Sequence, residues 1–109
     1  MLLGIGQKLV GELLVFLGRG AAYLKKGEVD RAVKDLDEAI RLALGMAFAY
    51  FERGTAYHRI DDYKNAIADY TESIKIDPKE PLAYVNRGMA YIFQNKPDEA
   101  LADFDSALK

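Results

Sequence analysis

Apolar residues recur along the chain at helical spacing and are separated by short polar stretches. Ile67, Tyr70 and Ile74 fall at three- and four-residue steps, which places them on one face of a helix that we predict over residues 63–76. A second helix is predicted over residues 47–60, and the polar stretch RIDDYK separates the two. KKGEVD and QNKPDE are the corresponding stretches elsewhere. The pattern predicts antiparallel helix pairs joined by short turns, and it contains no strand signal.

The helix pairs repeat every 34 residues. The strings GRGAAY, ERGTAY and NRGMAY share one phase, with their central glycines at Gly20, Gly54 and Gly88. Further positions match in the same register, namely Ala32, Ala66 and Ala100, and then Leu36, Tyr70 and Phe104. A period of this length indicates a repeat architecture in which each unit buries its apolar face against its neighbours. We divide the chain into an N-terminal helical extension, 1–12, and three repeats, 13–46, 47–80 and 81–109.

At these positions the sequence resembles the tetratricopeptide repeat family. The family pattern has a large aromatic residue, then Leu-Gly, tyrosine, alanine, phenylalanine, alanine and proline at set places in 34 residues. The aromatic position here holds Phe16, Tyr50 and Tyr84. The leucine position instead holds Arg19, Arg53 and Arg87. The resemblance covers residues 13–109 and implies an all-α fold, a right-handed α-solenoid of antiparallel helix pairs.

Composition narrows the chemistry that the chain can carry. It has no cysteine and one histidine, His58, so disulfides are excluded and a transition-metal site has little support. A net charge of −2 with mixed signs lacks the basic surface that nucleic acid requires. Lys8, Glu12 and Arg19 interrupt the apolar N-terminus before it reaches the ~18 residues of a membrane span. No nucleophile–base pair is visible, so we expect that the protein is not an enzyme. From the composition and the N-terminus we also expect a cytoplasmic protein that uses no cofactor and binds neither nucleic acid nor membrane.

The resemblance implies a binding groove on the concave side of the solenoid, lined by the first helix of each repeat. In this family that groove usually binds a peptide or a helix of a partner protein. Because the corresponding positions here are mostly apolar, we expect an apolar peptide or an amphipathic helix as ligand. The alternative for any one of these side chains is packing in the core. The predicted groove residues are Leu17, Leu24, Phe48, Phe51, Thr55, His58, Arg59, Val85, Met89, Ile92 and Phe93.

One known ligand class of the family is disfavoured by the residues present. Members that bind the C-terminal tails of Hsp70- or Hsp90-type chaperones hold the terminal carboxylate with a clamp of Lys, Asn, Asn, Lys and Arg. The corresponding positions here hold Leu17, Ala21, Glu52, Leu82 and Asn86. Only Asn86 could serve in a clamp, and Glu52 would repel a carboxylate.

The junctions between repeats differ from one another. Pro78 and Pro81 break the helix in the second junction, IKIDPKEPLAY, whereas the first, IRLALGMAFAY, has no proline. Two interpretations of the first junction stay open. Either Gly45 takes the left-handed C-cap conformation and the turn survives, or residues 31–59 form one helix of about 43 Å. In the second case the helix halves would pair with a second copy, as a domain swap.

Self-assembly is the alternative function. The stretch QKLVGELLVF also lacks proline, so the extension and the first repeat helix can form one continuous helix, and no polar helix caps the third repeat. We therefore expect a homo-oligomer, with a dimer favoured. The alternative to peptide binding is a structural or engineered module that assembles by swapping or stacking and has no separate ligand. A third hypothesis is an enzyme-accessory or lipid-binding domain. The predicted self-association residues are Leu44, Gly45, Met46, Leu101, Phe104 and Leu108.

Overall fold

Six helices account for most of the chain in the computed structural model, which describes residues 2–109. Their bounds are α1 Leu2–Lys26, α2 Val29–Leu42, α3 Ala47–Arg59, α4 Tyr63–Ile76, α5 Pro81–Phe93 and α6 Pro97–Ala107. No strand occurs over this part of the chain. Met1, the first residue of the predicted extension, lies outside the described residues.

The helices form two layers with different packing. Each odd-numbered helix packs against the next helix in the sequence, and α2 and α4 also pack against the first helix of the following repeat. Neighbouring helices of the layer α1, α3 and α5 contact each other, whereas the described residues of α2, α4 and α6 make no contacts between those helices. The array therefore curves around the first layer, and its dimensions are 52 × 29 × 17 Å. This confirms the all-α solenoid predicted from the repeat.

The recurring glycine allows the two helices of each repeat to cross closely. A Cβ atom placed on Gly54 would lie 3.0 Å from two ring carbons of Tyr70 and 3.2 Å from the carbonyl oxygen of Ala66. Gly20 and Gly88 are covered equally closely by the residues that correspond to Tyr70 in their own repeats. Any side chain at these glycines would overpack the crossing.

A bidentate ion pair also joins the two helices of each repeat. The arginine that stands where the family has leucine donates Nε and Nη2 to the two carboxylate oxygens of an aspartate 16 residues later, at 2.7–2.9 Å. The pairs are Arg19–Asp35, Arg53–Asp69 and Arg87–Asp103. The three aspartates are buried. The arginines and their partners therefore belong to the repeat framework.

The sequence analysis did not predict these ion pairs. The signal was available, because Asp35, Asp69 and Asp103 recur with the same 34-residue step as the arginines. Each arginine at the leucine position is thus accompanied by a buried aspartate in the same repeat.

The first junction is a turn, so the continuous helix over residues 31–59 was a wrong interpretation. Helix α2 ends at Leu42 and α3 begins at Ala47. The chain turns at Ala43, which has φ −148° and ψ 89°, close to the −132° and 84° of Asp77 in the second junction. The domain swap was inferred from the continuous helix and loses that basis.

The left-handed Gly45 was wrong as well, because the only described glycine with positive φ is Gly27, in the turn between α1 and α2. Burial explains why the first junction bends without proline. Met46 and Tyr50 pack against the buried cluster that contains Leu36 and Ala39 of α2. Burying these apolar side chains stabilises the turn by more than the fraction of a kcal/mol per residue that would be gained if the helix continued through the junction.

Helix α1 runs without a break through the boundary drawn between the extension and the first repeat. Gly11 lies inside it, and a Cβ atom at that position would meet nothing within 4 Å. Over residues 2–109, no helix has both the length and the apolar content that crossing a membrane requires.

Candidate functional site

Exposed apolar side chains line the groove between α3 and α5. Phe48 near the start of α3 and Leu82 near the start of α5 are both exposed, as are Met89, Ile92 and Phe93 further along α5. Phe48 and Leu82 line one cavity of the groove, Met89 lines another, and Phe93 packs against His58 beside it. The groove contains two cavities of about 250 Å³ each.

The first, which we call the apolar cavity, lies where α3 and α5 begin and α4 ends. Its lining residues are Ala47, Phe48, Phe51, Ser73, Asp77, Glu80 and Leu82. The aromatic and aliphatic side chains make most of its wall apolar, and the two carboxylates come from the turn between α4 and α5. Asp77 accepts the Lys79 N–H at 3.3 Å, and Glu80 accepts the Leu82 N–H at 3.1 Å. These two acidic residues were not predicted from the sequence, although Asp77 directly follows α4 and Glu80 directly precedes α5.

The second, which we call the polar cavity, lies further along the groove. Its lining residues are Thr55, His58, Arg59, Tyr70, Asn86 and Met89. The buried Tyr70 hydroxyl lies 3.1 Å from the Thr55 Oγ1. Burial raises the pKa of Tyr70, while its hydrogen bonds to Thr55 and Asn86 oppose that shift. The hydroxyl therefore stays protonated and serves as a neutral polar group between α3, α4 and α5.

An aromatic cluster borders the polar cavity. The rings of Tyr63 and Phe93 stack in parallel, with centroids 5.2 Å apart and planes 3° apart. His58 packs edge-on against both rings, at 5.3 Å from Tyr63 and 5.8 Å from Phe93. Phe93 is thus held in place on one side while remaining exposed to solvent. Among the residues that the structure describes, no group of three or more His, Asp and Glu side chains could hold a metal ion.

Two opposite charges on α3 shape the electrostatics of the groove. Burial raises the pKa of Glu52, and the positive charge of Arg59 partly offsets this shift. Arg59 also donates Nη1 to the Leu24 carbonyl oxygen at the end of α1. Glu52 and Arg59 therefore place one acidic and one basic side chain along α3, and Arg59 lines the polar cavity.

Two of the predicted groove residues were wrong. Leu17 and Leu24 are buried in the two core clusters of the first repeat, where α3 covers α1. Leu24 packs with Ala32 of α2 and Ala56 of α3. The other predicted groove residues lie on α3 and α5 and are half-buried or exposed, namely Phe48, Phe51, Thr55, His58, Arg59, Val85, Met89, Ile92 and Phe93.

The predicted self-association residues fall into two places. Leu44 and Gly45 are exposed in the first junction, whereas Met46 is half-buried and packs against the core cluster. On α6 and just after it, Leu101 and Leu108 are exposed. Phe104 is half-buried because its ring covers Gly88.

Two tetratricopeptide repeat family models match the chain, one over residues 17–81 and the other over residues 69–102. The structure is similar to that of MamA, with a TM-score of 0.86 and 31% identity over 88% of this chain and 56% of MamA. It is also similar to the TPR domain of Arabidopsis OM64, with a TM-score of 0.85 and 33% identity over 88% of this chain and 79% of that domain.

The second TPR domain of Spaghetti (RPAP3), solved with the HSP90 peptide SRMEEVD, has a TM-score of 0.87 and 28% identity over 94% of this chain and 96% of that one. The chain spans little more than half of the MamA chain, whereas it matches the RPAP3 domain almost end to end. No curated protein sequence matches it.

Proposed function

Because the chain belongs to the tetratricopeptide repeat family, we propose that it is a protein-interaction scaffold that binds a peptide in the groove between α3 and α5. The ligand is an apolar segment or the apolar face of an amphipathic helix. Structures of related domains support a peptide ligand, since RPAP3 was solved with an HSP90 peptide and the yeast Sti1 TPR2B domain with pHsp70.

The observation that carries this proposal is the apolar cavity between the exposed side chains of Phe48 and Leu82. Leaving such surface in water costs about 25 cal/mol per Å² relative to burying it. Neighbouring exposed apolar side chains around a cavity are the usual mark of a binding surface. An apolar side chain of the ligand, inserted between these two residues, would recover that free energy.

The charges beside the apolar cavity favour a basic flank on the ligand. Asp77 and Glu80 line this cavity, and Glu52 occupies a position where family members that bind chaperone tails have asparagine. An acidic tail such as SRMEEVD would meet these carboxylates without the lysines that neutralise it in such members. We therefore propose an apolar anchor residue next to Lys or Arg, and not an acidic C-terminal tail.

The experiment is a selection of random dodecapeptides displayed on phage, followed by fluorescence-anisotropy titration of the enriched sequences. Enriched peptides should combine a large apolar residue with a neighbouring Lys or Arg, and the peptide SRMEEVD should bind at least tenfold more weakly. Phe48→Asp should weaken binding of the enriched peptides by tenfold or more, which corresponds to about 1.4 kcal/mol.

The control variant is Ile60→Asp, since Ile60 is 51% exposed and Phe48 is 50% exposed, but Ile60 lies outside the groove. This variant should bind the peptides like the wild type. If the two variants bind equally well, or if no peptide is enriched, groove binding is refuted.

A further inference from the structure

The outward side of α1, which we call the front face, carries residues whose counterparts in the next two repeats are buried. The position of Ala22 is occupied in the next two repeats by Ala56 and Ala90, and neither has any exposed surface. The position of Val15 is occupied by Ala49 and Ala83, which are also fully buried. Val15, Gly18 and Ala22 are exposed in the first repeat. The front face thus has the residue pattern of a junction between repeats.

The outward side of α6, which we call the rear face, is the other half of the same pattern. Leu108 corresponds to Ile40, which packs against α3 in the first junction, yet Leu108 is 87% exposed and Ile40 only 7%. Phe104 corresponds to Tyr70, which lines the polar cavity at the second junction together with Asn86 of α5. The rear face of α6 therefore carries side chains at the positions through which α2 and α4 contact the first helix of the next repeat.

A charged contact recurs at both junctions inside the chain. In the first, Arg53 Nη1 donates to Asp37 Oδ1 of the preceding repeat at 2.8 Å. In the second, Arg87 Nη1 donates to Thr71 Oγ1 at 3.0 Å. These contacts lie beside the ion pair within each repeat and leave Arg53 and Arg87 only 21% and 18% exposed.

The two end faces carry the separated halves of this contact. On the front face, Arg19 uses Nε and Nη2 for Asp35, and its side chain is 53% exposed. On the rear face, the residue one repeat after Asp37 and Thr71 is Asp105, which is exposed. Asp105 therefore offers the same kind of carboxylate that Asp37 offers to Arg53 in the first junction.

The front face has open space at Gly18. Gly18 stands where the later repeats have Glu52 and Asn86, and a Cβ atom there would meet nothing within 4 Å. Phe104 lacks the hydroxyl of Tyr70, which lines the polar cavity together with Asn86. A phenylalanine ring needs no polar partner, and Gly18 leaves room for it.

We propose that the front face of one copy stacks on the rear face of a second copy, so that α6 and α1 of the neighbouring copy repeat the junction seen between repeats. In this contact Arg19 of one copy pairs with Asp105 of the other. The contact is head-to-tail because it joins two different faces, so copies add in a row without closing into a fixed dimer. The groove stays open, and peptide binding is independent of stacking.

The test uses sedimentation velocity on the wild type and on two variants, each with one blocked face. Ala22→Glu places a large charged side chain where the corresponding alanines have no exposed surface, and blocks the front face. Asp105→Arg places a cation opposite Arg19 and blocks the rear face. Both changed residues are exposed on helices, and circular dichroism checks that the variants remain folded.

The average mass of the wild type should rise steadily with concentration from 12.2 kDa, the mass of one chain, without stopping at two chains. Each variant alone should associate at least tenfold more weakly than the wild type. An equimolar mixture should form a complex of two chains and nothing larger, because only one free front face and one free rear face are available.

Phe93→Asp is the control, because it alters the groove and leaves both end faces intact; this variant should assemble like the wild type. A wild type that stays at the mass of one chain at every concentration overturns the proposal. So does an Ala22→Glu variant that self-associates as well as the wild type, since that result means contact between like faces. Loss of assembly in Phe93→Asp would show that the groove is the contact and would overturn end-face stacking.

Discussion

Arg53 and Asp69 form a two-point ion pair between α3 and α4, in which Nε and Nη2 each donate to one carboxylate oxygen at 2.8 Å. The remaining nitrogen, Nη1, donates to Asp37 on α2. One side chain therefore joins three helices and two repeats. These partners raise the pKa of Arg53 well above its ordinary value, with the hydrogen bond to Asp69 as the largest cause.

Removing the buried carboxylate at this position should be costly. We expect Asp69→Ala to lower the free energy of unfolding by about 3 kcal/mol, because the half-buried guanidinium loses its main counter-charge. Asp35→Ala should cost about 1 kcal/mol or less, since Arg19 is more exposed and water can solvate it. Urea denaturation followed by circular dichroism measures both values. Equal losses for the two variants would contradict the role of burial in this difference.

The helix crossing at Gly54 gives a second prediction. Gly54→Ala should lower the free energy of unfolding by about 1–3 kcal/mol, because the new methyl group would press on the Tyr70 ring and the Ala66 carbonyl. The matched control is Gly18→Ala on the exposed side of α1, where the methyl group has open space. That change should raise stability by about 0.5–1 kcal/mol through the better helix propensity of alanine. Thermal and urea unfolding at low protein concentration test both, and a stabilised Gly54→Ala would contradict the close crossing.

The turns between the helices of a repeat require a left-handed residue. Gly27, Asp61 and Asn95 occupy the same position in successive repeats, with φ values of 83°, 61° and 59°. Gly27→Ala should therefore cost about 1–2 kcal/mol of unfolding free energy.

Gly45→Ala is the control for that prediction, because Gly45 lies in the other kind of turn and has neither a positive φ nor a close neighbour. It should be neutral or stabilising by about 0.5 kcal/mol. Urea unfolding compares the two variants, and equal losses would argue against the left-handed turn at Gly27.

Burial of Glu52 predicts a pH-dependent stability. Burial raises its pKa in the folded protein, so its neutral form favours folding and its charged form disfavours it. Glu52→Gln should therefore be more stable than the wild type at pH 7. As the pH falls through the folded-state pKa, Glu52 becomes protonated and the wild type becomes more stable. The difference in unfolding free energy between Glu52→Gln and the wild type then shrinks. Paired urea titrations across pH 4–8 measure the difference, and a constant gap would be inconsistent with the raised pKa.

The solenoid was predictable because its signals recur in phase. Three equally spaced glycines defined the helix crossings, and the predicted helix over residues 63–76 agrees with α4. The groove was predictable only in part, since apolar residues at helical spacing look alike whether they are buried or exposed. Leu17 and Phe48 both appeared to be groove residues, yet α3 covers Leu17 while Phe48 faces solvent.

The junctions show a limit that local sequence cannot overcome. Gly11 and Gly45 hold the same phase of the repeat, in proline-free stretches of similar composition. The helix continues through Gly11 but has ended before Gly45. The difference comes from tertiary packing, because α3 folds back against the buried face of α2, whereas the described residues of α1 pack against α2 and α3, which follow α1 in the chain. A glycine inside a helix costs only about 1 kcal/mol, so local propensity does not determine whether the helix continues or ends. The burial of apolar side chains determines it.

The unequal packing of the two layers has a mechanical consequence. Neighbouring repeats are joined by contacts among α1, α3 and α5 and by the packing of α2 and α4 against the inner helix of the next repeat. Because the described parts of α2, α4 and α6 do not contact one another, the molecule resembles a strip that is open along its outer edge. Bending such a strip changes the spacing of the inner helices at little energetic cost on the outer side. An occupant wedged between α3 and α5 therefore alters the curvature of the whole array, and a load applied to its two ends alters the width available to the occupant.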